Sequence, residues 1–457
     1  MTNPDRLIGG VTADRIAEVR AREAEVFAAA RPKTRAALEA GRAAFLDDVP
    51  MLWMKDWPQP FPMLVAEAKG ARLTDIDGHV LDDFCLGDTG SMFGHSPEPV
   101  AQAIAEQAGR GLTYMLPTKD ALEVGRLLQA RFGPFLWQIA TTASDANRFA
   151  MRVARAVTGR PKVLFFAGCY HGAVDDALVR EVDGRTVERP GIVGQVVDLG
   201  ITSKVVEFND LEALEAALAA GDVAAVLAEP VMTNCCMVLP DPGYHQALRD
   251  LTRRYGTLLI IDETHTISSG LGGYTTTHGL DPDMFVLGKP VAGGLPASVW
   301  GMTGETAARY RAFDATRPAG FSGIGTTLSA NPLQFAAMRA NLAEVMTAKN
   351  YAHMEAGAER LAAGLGGVIA RLAAPWHVVR VGARVEFICH PVPLRNGTES
   401  YAAHKPALEA AIHARLVNLG CLIAPFHNMM LVSPATTFAQ IDRLIAAFDT
   451  ITTELFA

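Results

Sequence analysis

The sequence reads TLLIID at residues 257–262 and MFVLGK at residues 284–289, two aliphatic runs that each end in a charged side chain. Short continuous runs of this kind are typical of strands that are covered on both faces, as in a parallel sheet. Three further runs lie at residues 135–140, 162–167 and 224–228. Because helical stretches such as 211–220 and 243–256 separate some of the runs, the pattern predicts an α/β fold with a central, mostly parallel sheet.

The two ends of the chain differ from this middle part. The stretch from Ala13 to Leu46 is rich in Ala, Glu and Arg and predicts one long helix, which a proline-rich crossing segment follows. The Asp77-Gly78 turn lies between two short runs and predicts a β-hairpin. A helix over about 333–346 leads into a smaller α+β region. We therefore expect an N-terminal helix and crossing segment, a large domain and a small C-terminal domain, at residues 1–70, 71–330 and 331–457.

Composition narrows the class of protein. The chain has 457 residues with 41 Lys and Arg against 49 Asp and Glu, a net charge of −8. Without a basic excess we expect no nucleic-acid partner. No apolar run reaches the roughly 18–20 residues of a membrane span, and the start lacks the pattern of a signal peptide. We therefore expect a cytoplasmic protein with no membrane partner. The six cysteines form no CxxC and no zinc spacing, so we expect no metal site.

Functional side chains are expected just beyond the predicted strands, because open α/β sheets bind ligands at the carboxyl ends of their strands. The residues found there are, in chain order, Ala143 and Ser144, Tyr170, Glu229, Asp262 and Lys289. Ala143 and Ser144 also open a helix, whose free backbone N–H groups suit a phosphate. Each residue alone is more often a helix cap, a packed aromatic or a turn residue. Together they place a phosphate site, a flat ring, carboxylates and one lysine on a single rim.

This combination suits pyridoxal 5′-phosphate. The cofactor aldehyde needs a lysine to bond to, which Lys289 supplies. The pyridine nitrogen needs an anion to hold its proton, and Asp262 is placed to provide it. Tyr170 would cover the ring, while Ala143 and Ser144 would bind the phosphate. Lys289 and Asp262 are therefore the predicted catalytic residues.

The order of these motifs resembles the class III aminotransferases, a family of fold-type I pyridoxal-phosphate enzymes, and within it the glutamate-1-semialdehyde aminomutase branch. The matching segments are Thr142-Ala143-Ser144-Asp145-Ala146, Tyr170-His171-Gly172, Glu229-Pro230-Val231, Asp262-Glu263-Thr264, Gly288-Lys289 with Gly293-Gly294-Leu295-Pro296, and Thr327-Leu328-Ser329-Ala330-Asn331-Pro332. The resemblance implies that Glu229 and Thr264 also serve the cofactor, with Thr264 on the ring face opposite Tyr170. It implies that Thr327 reaches the phosphate of a neighbouring subunit, which makes the protein a homodimer.

Several positions depart from the family pattern at the substrate end. Asp88 stands where the aminomutase has an aromatic side chain, and His427 lies in a segment that has lost the aminomutase glutamate. Leu431 replaces the arginine with which many members bind a carboxylate. Arg384, at the start of a C-terminal strand, is a candidate replacement, so Asp88, Arg384 and His427 are the predicted substrate residues. The alternatives are that Arg384 pairs with Glu386 and that Asp88 caps a turn at Gly90.

The family resemblance implies a ping-pong aminotransferase that moves an amino group from an amino acid or amine to a keto acid or aldehyde. Lys289 would carry the proton between substrate and cofactor. Two alternatives use the same residues: an aminomutase of the glutamate-1-semialdehyde type, and an amino-acid epimerase. A cofactor-binding protein without turnover is the third. The histidines at 171 and 265 are expected to support neighbouring site residues through hydrogen bonds.

Overall fold

A computed structural model describes residues 7–41 and 44–457. The chain begins with β1 (Leu7–Ile8), β2 (Val11–Thr12), α1 (Ala13–Ala30) and α2 (Pro32–Ala40). The prediction of one helix from Ala13 to Leu46 is wrong, because Pro32 has no N–H and its ring would clash with the preceding turn of a continuous helix. Pro32 instead occupies the first position of α2, where proline is favoured. Residues 42 and 43 of the predicted helix lie outside the described residues, and Leu46 begins a short 3₁₀ turn.

The predicted hairpin around Asp77-Gly78 is confirmed. Strand β3 (Val65–Lys69) pairs with β4 (Arg72–Asp75), and β4 pairs with β5 (Val80–Asp83) across the turn, all antiparallel. Helices α3 (Glu98–Ala108) and α4 (Lys119–Phe132) then lead to the central sheet. Asp88, five residues after the end of β5, lies at the candidate site described below.

Nine strands follow, with helices between many of them. They are β6 (Leu136–Ala140), β7 (Lys162–Phe166), β8 (Val179–Val182), β9 (Arg185–Glu188), β10 (Ser203–Val206), β11 (Val223–Ala228), β12 (Leu258–Asp262), β13 (Met284–Leu287) and β14 (Ser298–Met302). Seven of them form one sheet in the order β10-β7-β11-β12-β13-β14-β6, while β8 and β9 pair with each other. All neighbours in the sheet are parallel except those of β14, which runs against β13 and β6. The predicted α/β fold is therefore confirmed.

Two strands of this sheet, β10 and β14, carry weak sequence patterns. Strand β10 opens with Ser203 and Lys204 and is only four residues long, and β14 contains Gly301. Glycine has no side chain to pack and weakens a strand pattern. Here the glycine has a packing reason, because a Cβ at Gly301 would lie 2.8 Å from the side chains of Phe135 and Trp137.

Helices cover both faces of the sheet, as a parallel sheet requires. They are α5 (Ala143–Thr158), α6 (Leu211–Ala219), α7 (Tyr244–Arg254), α8 (Gly273–His278), α9 (Gly304–Asp314) and α10 (Pro332–Ala340). A π-helical turn over Asn341–Val345 continues α10, so the helix predicted over about 333–346 is confirmed. The five strands predicted from aliphatic runs are almost wholly buried between these layers, except β6 at the sheet edge.

The C-terminal part adds a second, smaller α+β unit. Its elements are α11 (Ala348–Arg371), β15 (His377–Val381), β16 (Arg384–Ile388), α12 (Gly397–Ala403), α13 (Pro406–Asn418), β17 (Cys421–Leu422), β18 (Met429–Leu431) and α14 (Phe438–Phe456). Strand β16 lies between β15 and β18, and β17 joins β5 near the N-terminus. The boundaries predicted at residues 70 and 330 stay a prediction. Across the described ranges, no helix is long and apolar enough to cross a membrane.

Candidate active site

The carboxyl ends of the central strands meet at a cavity of about 310 Å³. Six of the residues predicted for cofactor binding line it: Ala143, Ser144, Tyr170, Asp262, Thr264 and Lys289. They come from four separate strand ends, which the parallel arrangement brings to one edge of the sheet. The structure therefore brings together most of the predicted site.

Asp262 ends β12 and is buried at the base of this cavity. Its Oδ2 accepts a hydrogen bond from Asn147 Nδ2 at 2.8 Å and lies 3.0 Å from His171 Nδ1, while Oδ1 accepts from the backbone N–H of Thr264 at 3.0 Å. Burial alone would raise the pKa of Asp262, but His171 and the other donors lower it. The Asp262 carboxylate is therefore held in its ionised form.

His171 carries the complementary charge. Burial opposes its protonation, but Cys169 and the hydrogen bond to Asp262 raise the pKa of His171 to about 10. Asn147 lies on α5 one turn after the predicted phosphate residues, and its amide also donates to the carbonyl of His171. The expectation that His171 supports a site residue is met, whereas Asn147 was not among the predicted residues. Its i, i+4 spacing from Ala143 on one helix face was the available signal.

Tyr170 lies at the mouth of the cavity and is partly exposed. Its backbone N–H donates to Glu229 Oε1 at 3.2 Å, and the other Glu229 oxygen accepts from the hydroxyl of Thr233 at 2.6 Å. Burial raises the pKa of Glu229. The carboxylate of Glu229 thus fixes the loop that carries Tyr170 through these hydrogen bonds.

Ala143 and Ser144 form the first turn of α5, which the side chain of Thr142 caps by accepting from the N–H of Asp145. The first N–H groups of a helix have no partner inside the helix and point outward. Ser144 Oγ accepts from the N–H of Ala173 at 3.0 Å. This close approach requires Gly172, which has φ +86° and where a Cβ would lie 2.1 Å from Ser144 Oγ.

Lys289 lies two residues beyond the end of β13 and lines the cavity. Its Nζ donates to Asp88 Oδ2 at 2.7 Å, and Nζ also lies 2.8 Å from His265 Nε2. Burial alone would raise the pKa of Asp88, but the basic groups around it hold the pKa well below its usual value. Asp88 therefore contacts the predicted catalytic lysine. It does not cap Gly90, whose N–H donates to the carbonyl of Gly87.

Arg384 is almost fully buried behind this pair. Its Nη2 donates to the hydroxyl of Thr89 and, at 2.7 Å, to His265 Nδ1. Within the described part of the chain, Arg384 and Glu386 form no ion pair, so the local pairing considered as an alternative does not occur. Through His265, Arg384 is connected to Lys289, a contact that was not predicted from the sequence.

His427 and Glu386 are both buried beside Arg384. His427 Nδ1 lies 3.3 Å from Glu386 Oε1. In β16 the residues Arg384 and Glu386 share a face, and Arg384 lies directly opposite Leu431 on β18. The buried cation Arg384 therefore lies on β16. The family resemblance places the arginine of many members at the position of Leu431, on the neighbouring strand β18.

Thr327 lies outside this cavity. It is exposed and lines a separate pocket with Met115, Leu116, Pro117, Thr326, Ser329, Ala330 and Phe335. The family resemblance assigns Thr327 to the site of the neighbouring subunit.

Fold and site together define a class of protein. A mostly parallel sheet with one antiparallel strand carries a lysine, a buried carboxylate held ionised by donors, an aromatic residue and a helix N-terminus around one cavity. Each of these groups has a counterpart in pyridoxal 5′-phosphate: the aldehyde, the ring nitrogen, the ring face and the phosphate. The residues present therefore fit this cofactor, and the class is that of the fold-type I pyridoxal-phosphate enzymes.

Comparisons with known proteins identify the family. The model of the class III aminotransferases matches residues 53–452. A glutamate-1-semialdehyde 2,1-aminomutase from Methylacidiphilum infernorum is 32% identical over 393 residues, which are 84% of this chain and 89% of that protein. The chain belongs to the class III aminotransferases and is a pyridoxal-phosphate-dependent enzyme.

Solved structures agree with this assignment. A glutamate-1-semialdehyde-aminomutase from Pseudomonas aeruginosa PAO1 superposes with a TM-score of 0.95 at 48% identity, over 98% of this chain and 100% of that one. A β-phenylalanine aminotransferase from Variovorax paradoxus superposes with a TM-score of 0.85 at 25% identity, over 96% of this chain and 97% of that one. The fold is therefore shared by relatives with two different activities.

Proposed function

We propose that the protein transfers an amino group between two small molecules, an amino acid or amine donor and a keto acid or aldehyde acceptor. The family supports amino-group chemistry, and the contact between Asp88 and Lys289 supports transfer in particular. Asp88 occupies a position where the resemblance places an aromatic residue in the aminomutases. The Asp88 carboxylate lies 2.7 Å from Lys289 Nζ, so the substrate end of the site differs from the aminomutase pattern. The cofactor motifs match that pattern.

Six residues would hold the cofactor in this proposal. Lys289 would attach it, Asp262 would bind the ring nitrogen, Tyr170 and Thr264 would cover the ring faces, and Ala143 and Ser144 would bind the phosphate. When bound, pyridoxal 5′-phosphate supplies an electron-withdrawing ring that makes the carbon bearing the amine more acidic.

Asp262 contributes a fixed negative charge in a buried place. His171 and Asn147 hold its carboxylate from one side, so it needs no rearrangement during the reaction. A preorganised charge in a site that excludes water acts more strongly than the same charge in solvent. Asp262 would keep the ring nitrogen protonated through both halves of the reaction.

Lys289 would move the proton. Its Nζ, once released from the cofactor, would take the proton from the substrate carbon and deliver it one position further along. Asp88 and His265 both lie within hydrogen-bond distance of this nitrogen and would orient it. Glu229 would act indirectly, since its carboxylate holds the backbone of Tyr170.

A half-reaction tests the proposal. The protein is mixed with a panel of amino donors in the absence of any acceptor, and released carbonyl product is counted per active site. A transaminase releases one equivalent of carbonyl product per site and then stops. Catalytic isomerisation of a donor without such a burst would contradict the proposal.

The second candidate function is an aminomutase, in which the amino group stays on the same substrate skeleton. The names of the Methylacidiphilum and Pseudomonas relatives favour it. It would use the same Lys289 and Asp262. In the half-reaction it would release no stoichiometric carbonyl product and would accumulate an isomer of the donor.

We also infer a homodimer with Thr327 contributed across the interface. Four large apolar side chains are strongly exposed in the two segments beside Thr327: Met115, Leu116, Phe321 and Leu328. Large exposed apolar side chains are typical of an interaction site, and the family resemblance identifies a second copy of this chain as its partner. Sedimentation and activity measured at the same concentration test this, and a fully active monomer would overturn it.

Two sequence-based expectations also stay proposals. Arg384 and His427 would lie at the substrate end and affect the choice of donor, either directly or through the residues they contact. A cytoplasmic location is proposed on the sequence pattern alone.

A further inference from the structure

His265 lies between the proposed proton-transfer lysine and a buried guanidinium. Its Nε2 is 2.8 Å from Lys289 Nζ, and its Nδ1 is 2.7 Å from Arg384 Nη2 and 3.0 Å from Thr89 Oγ1. His265, Arg384 and Thr89 are all buried. Of these three residues, His265 contacts Lys289 directly, and Arg384 and Thr89 contact His265.

The position of the imidazole proton follows from this contact set. A guanidinium has only donors, so His265 Nδ1 must accept the hydrogen bond from Arg384. Burial, together with the positive charge of Arg384, lowers the pKa of His265 well below its ordinary value. The ring is therefore neutral, and its single proton is on Nε2, the atom that faces Lys289.

This tautomer constrains Lys289. An ammonium group has three donors and no acceptor, so it cannot accept from Nε2–H. A free amine can accept that hydrogen bond through its lone pair and still donate to Asp88 Oδ2. All contacts of Lys289 Nζ are satisfied together only by the free amine, which is the form that can take up a proton.

The backbone around these residues supports a functional arrangement. Asp88, Thr89 and Lys289 have φ values of +48°, +78° and +42°. Residues other than glycine rarely adopt this conformation, and such strain concentrates at functional sites where the surrounding structure enforces it. The strained segments are the ones that deliver Asp88 and Lys289 to each other.

We propose that His265, oriented by Arg384, is a positioning residue that keeps the amine of Lys289 in its free-base form for proton transfer. The inference rests on the proposed role of Lys289. Two charged groups face the amine or its partner: the Asp88 carboxylate favours the ammonium form, and Arg384 behind His265 disfavours it. The imidazole of His265 favours the free amine over the ammonium form because it presents a hydrogen-bond donor to Lys289 rather than an acceptor.

The test measures the reactivity of Lys289 rather than turnover. The full-length protein is loaded with pyridoxamine 5′-phosphate, so that Lys289 is not bonded to the cofactor, and is treated briefly with acetic anhydride. Mass spectrometry of the Lys289 peptide gives its acetylation rate relative to the exposed Lys349 in the same sample. Only the free amine reacts, so this ratio reports the form that His265 is proposed to maintain.

Four variants separate the possible roles. We expect H265L to lower the relative rate about tenfold, and H265Q to return it to within about threefold of wild type, because glutamine can present an N–H near the position of Nε2. R384L should also lower it, since the freed imidazole can place its proton on Nδ1. D88N should not lower the relative acetylation rate, because this variant removes the anion that favours the ammonium form of Lys289. H390L, at a histidine outside the site, is the control.

An unchanged ratio in both H265L and R384L would overturn the proposal, as would H265Q behaving like H265L. Thermal unfolding identifies any variant that fails to fold, and in that case H265Q and R384K are compared with wild type instead. The ratio does not depend on amino transfer. A wild type that shows the predicted ratios but no transfer would refute the proposed function and leave this inference standing.

Discussion

The two sides of the candidate site differ in how their charges are satisfied. On the Asp262 side, formed by Asp262, His171 and Asn147, both carboxylate oxygens have donors, and only His171 Nε2 and Asn147 Oδ1 among the buried side-chain atoms of these three residues have no hydrogen-bond partner. On the Asp88 side, formed by Asp88, His265, Arg384, Glu386 and His427, five buried charged-group atoms have no hydrogen-bond partner: Asp88 Oδ1, Arg384 Nε and Nη1, and both Glu386 oxygens. Buried atoms of charged groups that lack a hydrogen bond lower the stability of the fold.

This difference indicates that the two sides of the site have different functions. A site that binds the same cofactor in every cycle can be built with its charges already paired. A site that must accept donor and acceptor in turn has to leave polar groups available, at a cost in stability. Changes on the Asp262 side should therefore affect all substrates equally, whereas a change at Asp88 should depend on the substrate.

Lys289 lies between the two sides, and its removal should have the largest effect. We expect K289A to fold, to bind the cofactor weakly and to lose turnover by more than about 10³-fold, because proton transfer and cofactor attachment are both lost. Borohydride reduction of the wild type should link the cofactor to the peptide that contains Lys289. A label on another lysine would contradict the site assignment.

D262N tests the Asp262 side. It keeps the shape of the side chain but removes the charge, so we expect turnover to fall about 10²-fold, using roughly 3 kcal/mol for a buried charge-assisted hydrogen bond. The loss should be the same for every donor. Near-wild-type activity would show that another group holds the ring nitrogen.

G172A tests the packing of the phosphate end. A Cβ at Gly172 would collide with Ser144 Oγ, so we expect cofactor binding to weaken about tenfold, equivalent to about 1.4 kcal/mol. G184A is the matched control, since Gly184 has a similar φ of +75° with nothing within 4 Å of the added Cβ. Equal effects of the two variants on cofactor affinity would mean that backbone strain, not the contact with Ser144, causes the change.

D88N tests the Asp88 side. We expect it to change the ratio of kcat/KM between donors about fivefold, with the greatest loss for donors that carry a second amine or a hydroxyl. Cofactor affinity should stay within about twofold of wild type. A uniform loss across the donor panel would assign Asp88 to the chemistry common to all donors instead of to donor selection.

R384A separates two interpretations of the buried arginine. If Arg384 binds a donor carboxylate, KM rises for amino acids and is unchanged for plain amines. If it acts through His265, as we infer, kcat falls for both by a similar factor of about three to ten. The donor comparison therefore decides whether the sequence-based expectation for Arg384 holds.

The smallest effect concerns pH and stability. The pKa of His171 is raised in the folded protein, so the charged imidazole stabilises the fold in full below its ordinary pKa and loses this effect as the pH rises through about 10. We expect H171N to unfold a few degrees below wild type at pH 6, and the gap to shrink by pH 10.5. A difference in unfolding temperature that grows with pH would contradict the positive charge assigned to His171.

The sequence predicted the Asp262 side better than the Asp88 side, for a physical reason. Asp262, Tyr170 and Lys289 each follow an aliphatic strand, so strand direction alone places them at one edge. Asp88 and Arg384 come from segments almost 300 residues apart that meet only through the packing of the C-terminal unit against the sheet. Motif spacing contains no information about such a contact.

The same contrast applies to the fold. Strands with continuous aliphatic runs were predicted correctly, while β10 and β14 were not, because a polar start and a glycine hide their pattern. The break at Pro32 was missed although proline in a helical stretch indicates a boundary. His265 was expected only to support its neighbours, because one sequence position does not reveal which atoms each ring nitrogen faces.

The most direct test of the central claim follows the amino group itself. The enzyme is supplied with a ¹⁵N-labelled donor that the half-reaction has identified, together with an unlabelled keto acid, and the products are analysed by mass spectrometry and NMR. Amino transfer predicts that ¹⁵N appears on the carbon skeleton of the keto acid, with loss of label when K289A replaces the wild type. Recovery of all ¹⁵N on the donor skeleton, moved to a neighbouring carbon, would contradict transfer and establish the aminomutase reaction.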